Sequence, residues 1–111
     1  MTRCVVDKWY EGDGKLSIYL SAFGHANYAE EGKDIVCAAV SALCTALANT
    51  FMLYGVPKAT IRVKEGDFFL HTLITENKEK CEGAFDMTVM GLEMLAEQYP
   101  ENVFVASGVL H

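Results

Sequence analysis

Two side chains in this sequence have the types and the spacing for nucleophilic chemistry, His25 and Cys37, twelve positions apart. Between them runs a polar stretch bounded by Gly24 and Lys33, and Cys37 follows Asp34-Ile35-Val36 at the start of an apolar, alanine-rich run. If Asp34 caps a helix, Cys37 falls in the first turn, where backbone N–H groups lack intrahelical partners and the local field is positive. A thiolate rather than a thiol is the nucleophile, so such a position beside an imidazole favours activation of the sulfur. Unpaired N–H groups of the same turn are also natural donors to an oxyanion. Steps of three, four and three put Asp34, Cys37, Ser41 and Cys44 on one helical stripe, which brings Ser41 within hydrogen-bond reach of the thiol. Gly24 gives the backbone freedom to aim the His25 ring, and Gly32 gives the loop freedom to open and close.

Each residue has a plainer reading. Cysteine is among the most buried residue types and serves well as a small packing group. His25 alone reads as a surface-loop histidine, Asp34 as an N-cap and Ser41 as a helix residue bonded to its own backbone. Cys4, Cys44 and Cys81 read as core positions, and His71, in a strand, as structural. No two cysteines stand in a CxxC pair, and no ligand pair has zinc-like local spacing, so neither a disulfide framework nor a metal or other cofactor is expected. Cys44 is two turns from Cys37, about 10 Å along a helix axis, too far to resolve it as a disulfide partner.

The elements that must position the pair are legible in the pattern. Thr2–Tyr10 reads as a strand, Glu11-Gly12-Asp13-Gly14 as a turn, and Lys15–Phe23 as a returning strand with Leu16, Ile18, Leu20 and Ala22 on one face. A loop covers residues 24–33. A helix follows from Asp34 to about Tyr54, stopped by Gly55 and Pro57, with Val36, Ala39, Val40, Leu43, Leu47 and Tyr54 along a stripe. Strands are expected at Thr60–Lys64 and Phe68–Ile74 around Glu65-Gly66-Asp67. A second helix is expected over residues 76–98, with Cys81, Phe85, Thr88, Leu92, Leu95 and Tyr99 repeating at helical steps and Pro100 ending it. A last strand falls at Val103–Val105. The order ββαββαβ predicts an α+β fold, a largely antiparallel sheet of about five strands covered by two helices.

A chain of 111 residues, about half of them apolar, is the size of one domain, 1–111. A formal charge of −6, from fifteen acidic and nine basic side chains, opposes direct nucleic-acid binding and favours a basic polypeptide partner. The amino terminus lacks the order of a signal peptide and no long apolar stretch runs without polar interruption, so a cytoplasmic protein with no membrane association is expected.

Gly24-His25-Ala26, followed by Gly32-x-Asp34-Ile35-Val36-Cys37-Ala38-Ala39-Val40-Ser41, resembles the signature of the ribosomal-processing cysteine protease family, Prp. The resemblance implies a single cysteine protease domain that removes the amino-terminal extension of a large-subunit ribosomal protein. It implies Cys37 as nucleophile, His25 as its partner, and Gly24, Asp34 and Ser41 as supporting residues. It also implies a homodimer with a mobile loop at residues 26–33 and a substrate with a basic amino-terminal segment. The competing expectation is a non-catalytic accessory module for ribosome assembly that binds a ribosomal protein and keeps Cys37 as a packed residue.

Overall fold

The computed structural model describes residues 1–108. Strand β1 (Thr2–Tyr10) turns through residues 11–15 into β2 (Leu16–Phe23), and the two pair antiparallel with Tyr10 opposite Leu16 and Arg3 opposite Phe23. Helix α1 (Ile35–Leu53) follows the loop, then a single 3-10 turn at Lys58–Thr60 leads into β3 (Ile61–Lys64) and β4 (Asp67–Ile74). Helix α2 (Lys78–Gln98) and β5 (Val103–Ser107) complete the order. The sheet runs β3-β4-β2-β1-β5, antiparallel at every pairing except β1 with β5, which is parallel. The expected ββαββαβ order and largely antiparallel sheet are therefore present.

Period-two alternation divides the sheet into two faces. Cys4, Val6, Leu16, Ile18, Leu20, Ala22, Phe68, Leu70 and Ile74 point inward and join Val36, Val40, Cys44, Leu47 and Phe51 of α1 and Cys81, Phe85 and Leu92 of α2 in one core. The opposite face carries Tyr19, Phe69 and His71, with the Tyr19 ring meeting each of the other two edge to face at 5.5 Å, and among the described residues no helix covers it. His71 is thus exposed on that face, where its ring also lies 6.3 Å from Trp9.

Helix α1 has a mean hydropathy of 1.9 and is long and apolar enough to cross a membrane by length and composition alone, although Ser41, Thr45, Asn49 and Thr50 interrupt it as the sequence reading noted. Its apolar character is spent instead on the sheet and on α2, with Val36, Val40, Cys44, Leu47, Ala48 and Phe51 buried. Gly91 of α2 lies against Leu43, so the two helices approach closely there. Boundaries differ from expectation by a residue or two. Asp67 pairs with both Phe23 and Lys64 and so joins β4, which shortens the β3–β4 turn to Glu65-Gly66.

Candidate active site

Asp34 caps α1 as its position predicts, but it does more. Its Oδ1 accepts from the backbone N–H groups of both Val36 (3.0 Å) and Cys37 (2.9 Å). Its Oδ2 accepts from Tyr28 N–H (3.0 Å) and, more weakly, from Ala29 N–H (3.4 Å), so one carboxylate binds the loop to the helix start. Burial pushes the Asp34 carboxyl up, but the N–H groups of Cys37, Tyr28 and Ala29 together outweigh that and hold it below the usual carboxylate range. One expectation changes here. The helix-terminal N–H groups of Val36 and Cys37 are not free to meet an oxyanion, because the cap has already taken them, and Ala38 N–H bonds Asp34 O in the ordinary helical manner.

The donor that does reach the sulfur comes from the loop. Ala26 N–H lies 3.1 Å from Cys37 Sγ. Ala26 itself is fully buried and its carbonyl accepts from Asn102 Nδ2 at 2.9 Å, across seventy-six positions of sequence. His25 precedes it and is exposed, while Cys37 is half-buried.

The imidazole is placed by a part of the chain that sequence spacing did not single out. Gly24 N–H bonds Gly66 O (2.9 Å), and Thr2 Oγ1–H bonds Gly24 O (3.1 Å), which ties the loop start to the β3–β4 turn and to β1. Gly24 has φ 93°, and a Cβ there would sit 2.8 Å from Met1 O, so glycine is required on both counts. Gly66 has φ 69°, and a Cβ there would sit 3.0 Å from His25 Nε2, so the ring rests on bare backbone. Among the described residues His25 makes no hydrogen bond to Cys37; both side chains open onto the same space.

That space is two clefts meeting at the pair. One, of about 360 Å³, lies between α1 and the β3–β4 hairpin, with Ala22, Val40, Val63 and Phe68 as its apolar walls. The other, of about 490 Å³, lies under the loop, bordered by Asn27, Glu31, Gly32 and Asp34. His25, Cys37, Ser41 and Glu65 line both. Ser41 is exposed in the cleft and, among the described residues, makes no hydrogen bond to the thiol. Glu65, Gly66 and Asn102 join the site without any local signal in the sequence.

The other three thiols are in a different situation. Burial pushes Cys4 up to about 11, and Cys44 up to about 12 with a smaller contribution from Cys4; burial also raises Cys81. All three are buried and reduced, as expected of core positions.

Comparison with known proteins identifies the family and the fold. The family described as cysteine protease Prp matches residues 1–104. The ribosomal processing cysteine protease Prp of Bacillus subtilis is 27% identical over 92 residues, covering 78% of this chain and 82% of that protein. Its counterpart in Staphylococcus aureus is 28% identical over 100 residues, covering 88% and 92%. Among solved structures, an S. aureus ribosomal processing protease Prp with a covalently linked product peptide superposes with a TM-score of 0.76 at 22% identity, covering 96% of this chain and 99% of that one. SMU.848 of Streptococcus mutans superposes with a TM-score of 0.66 at 26% identity, covering 96% and 93%. With the family match running through β1 to β4 and both helices into the start of β5, the chain belongs to the cysteine protease Prp family.

Proposed function

We propose that Cys37 and His25 form the nucleophile and general base of a cytoplasmic endopeptidase that removes the amino-terminal extension of a large-subunit ribosomal protein. The observation that carries this reading is the meeting of two clefts at Cys37 and His25, which gives a polypeptide a path on either side of the sulfur. An endopeptidase needs that path, because its substrate continues in both directions from the scissile bond. The processing substrate is supported by the relatives, which are named as ribosomal processing proteases, one of them solved with a substrate peptide. The chain's charge of −6 suits a basic segment. The active form is a homodimer and the working unit is one domain spanning 1–111.

In the reaction His25 takes the Sγ proton of Cys37, and the thiolate adds to the scissile carbonyl carbon. Ala26 N–H, 3.1 Å from the sulfur, stabilises negative charge there and on the carbonyl oxygen as the tetrahedral centre forms. The C–N bond then breaks and His25 returns the proton to the leaving amine. Water, deprotonated by His25, hydrolyses the thioester and restores the thiol. Asp34 holds loop and helix together, Gly24 and Gly66 leave room for the backbone and the ring, and Ser41 lines the floor of both clefts. A non-catalytic accessory role loses its footing once the chain stands in a protease family.

The test is incubation of the purified protein with the host's ribosomal protein carrying its native amino terminus, read by product mass. The wild type is expected to give one shortened product. His25→Ala is expected to cleave on the order of 10²- to 10⁴-fold more slowly, the range of a lost general base. Cleavage by His25→Ala at the wild-type rate would remove the base from the mechanism, and an intact ribosomal protein with wild type would remove that substrate.

A further inference from the structure

The residue that donates to the nucleophile's sulfur is not held by its own neighbours in sequence. Ala26 is buried, its N–H points to Cys37 Sγ at 3.1 Å, and its carbonyl accepts from Asn102 Nδ2 at 2.9 Å. Asn27, just beyond, has φ 57°, so the chain reverses its twist there and cannot use regular secondary structure to fix the Ala26 carbonyl. Asn102 is itself locked on both sides. Its N–H bonds Tyr99 O at 2.9 Å, and its carbonyl accepts from Thr2 N–H at 2.9 Å, where β1 begins beside β5. The side chain therefore projects from a rigid corner between α2 and β5 to the one peptide carbonyl next to the thiol's donor.

We infer that Asn102 is a positioning residue of this active site: its side-chain amide fixes Ala26 so that the Ala26 N–H stays aimed at Cys37 Sγ. Asn102 lines neither cleft and acts through Ala26 alone. The inference rests on the assignment of Cys37 as nucleophile. The chemistry requires a donor at this position, because the group it meets is a carbonyl oxygen. Alanine leaves that buried carbonyl without a partner, and aspartate, nearly the same shape, faces it with a carboxylate that has no proton to give until it is protonated.

The experiment uses the full chain with Asn102→Ala and Asn102→Asp, and two readouts between pH 4.5 and 8: cleavage kinetics, and the rate of Cys37 alkylation by iodoacetamide, followed by peptide mass. Asn102→Ala is expected to lower kcat roughly 10- to 100-fold with KM within about twofold, the scale of a small misplacement at a reacting centre. Its Cys37 alkylation curve is expected to move to higher pH, because the sulfur loses a donor. Asn102→Asp is expected to match Asn102→Ala at pH 8 and to gain on Asn102→Ala as pH falls and its carboxyl gains a proton, while Asn102→Ala shows no recovery toward wild type at any pH. A thermal melt identifies loss of fold, and the pH-dependent recovery of Asn102→Asp, measured within one protein, reads the donor even where Asn102→Ala is unstable. Unchanged kcat and alkylation in folded Asn102→Ala, or Asn102→Asp tracking Asn102→Ala at every pH, overturns the inference. Failure of the wild type to cleave the ribosomal protein bears on the substrate, whereas the alkylation series still tests Asn102.

Discussion

The two helices each place a cysteine in their first turn, and only one of those turns opens onto a cleft beside a histidine. Cys37 is the third residue of α1; Cys81 is the fourth of α2. Asp34 caps α1 through Oδ1 and holds the loop through Oδ2, whereas Asn77 precedes α2 in the left-handed region with no side-chain cap, its amide donating instead to Tyr54 O. Cys37 is half-buried between two clefts with Ala26 N–H on its sulfur; Cys81 is fully buried in the core with its thiol pushed up. A helix N-terminus is therefore common to both and decides nothing alone. The cleft, the loop that brings His25 and Ala26 over the turn, and the hairpin beneath the imidazole make the difference.

The sharpest way to break that comparison is to change each cysteine to serine. Cys37→Ser is expected to lose cleavage by on the order of 10³-fold or more while retaining its melting temperature, since a weaker nucleophile replaces the sulfur at a partly exposed position. Cys81→Ser is expected to do the reverse, keeping kcat and losing about 1–3 kcal/mol of stability, because a hydroxyl would be buried among apolar side chains. Denaturant midpoints and cleavage rates on the same preparations check both, and a Cys81→Ser variant with wild-type stability but poor cleavage would invert the assignment.

The core thiols make a second contrast, with pH. Cys4 and Cys44 ionise at ordinary values when unfolded and at about 11 and about 12 when folded. Above roughly pH 9 the unfolded chain gives up protons that the folded chain keeps, so stability falls as pH rises, by about 1.4 kcal/mol per pH unit for each thiol in its window. Urea midpoints from pH 8 to 11 are expected to fall on this limb, and Cys44→Ala is expected to flatten it; an equally steep limb in that variant would assign the effect elsewhere.

The caps give the smallest contrast. Asp34→Ala is expected to cost about 1 kcal/mol, since it frees two helix N–H groups and the loop tie. Asn77→Gly, at φ 55°, is expected to cost no more than a few tenths. Because the Asp34 carboxyl is held low when folded, its contribution is present above the ordinary carboxylate range and is lost as pH falls below it. Thermal melts of Asp34→Ala and wild type are therefore expected to converge toward acid pH.

Why the fold was legible and part of the site was not follows from range. The alternation of Leu16, Ile18, Leu20 and Ala22, the Asp34 cap and the Gly55 stop are local signals, and the structure places β2 and α1 within a residue or two of where they point. His25, Asp34 and Cys37 share one short stretch, so their meeting was readable from spacing. Gly66 under the imidazole and Asn102 on Ala26 are brought in by β4 pairing with β2 and β5 pairing with β1, contacts that leave no trace in local periodicity. The only hint of Asn102 was its place in the turn after Pro100, where any polar residue would serve. The capping role of Asp34 was readable, but that a single Oδ1 takes both the Val36 and Cys37 N–H groups is a matter of geometry, and it leaves Ala26 N–H of the loop as the backbone donor at the sulfur.

The pairing of Cys37 with His25 is tested most directly by limited iodoacetamide labelling of the native protein at pH 7, with the modified cysteine identified by peptide mass in wild type and in His25→Ala. The expected result is modification of Cys37 alone among the four cysteines, with a clear loss of rate in His25→Ala at unchanged fold. Equal labelling of Cys37 in both proteins, or labelling of Cys81 as fast as Cys37, would contradict it.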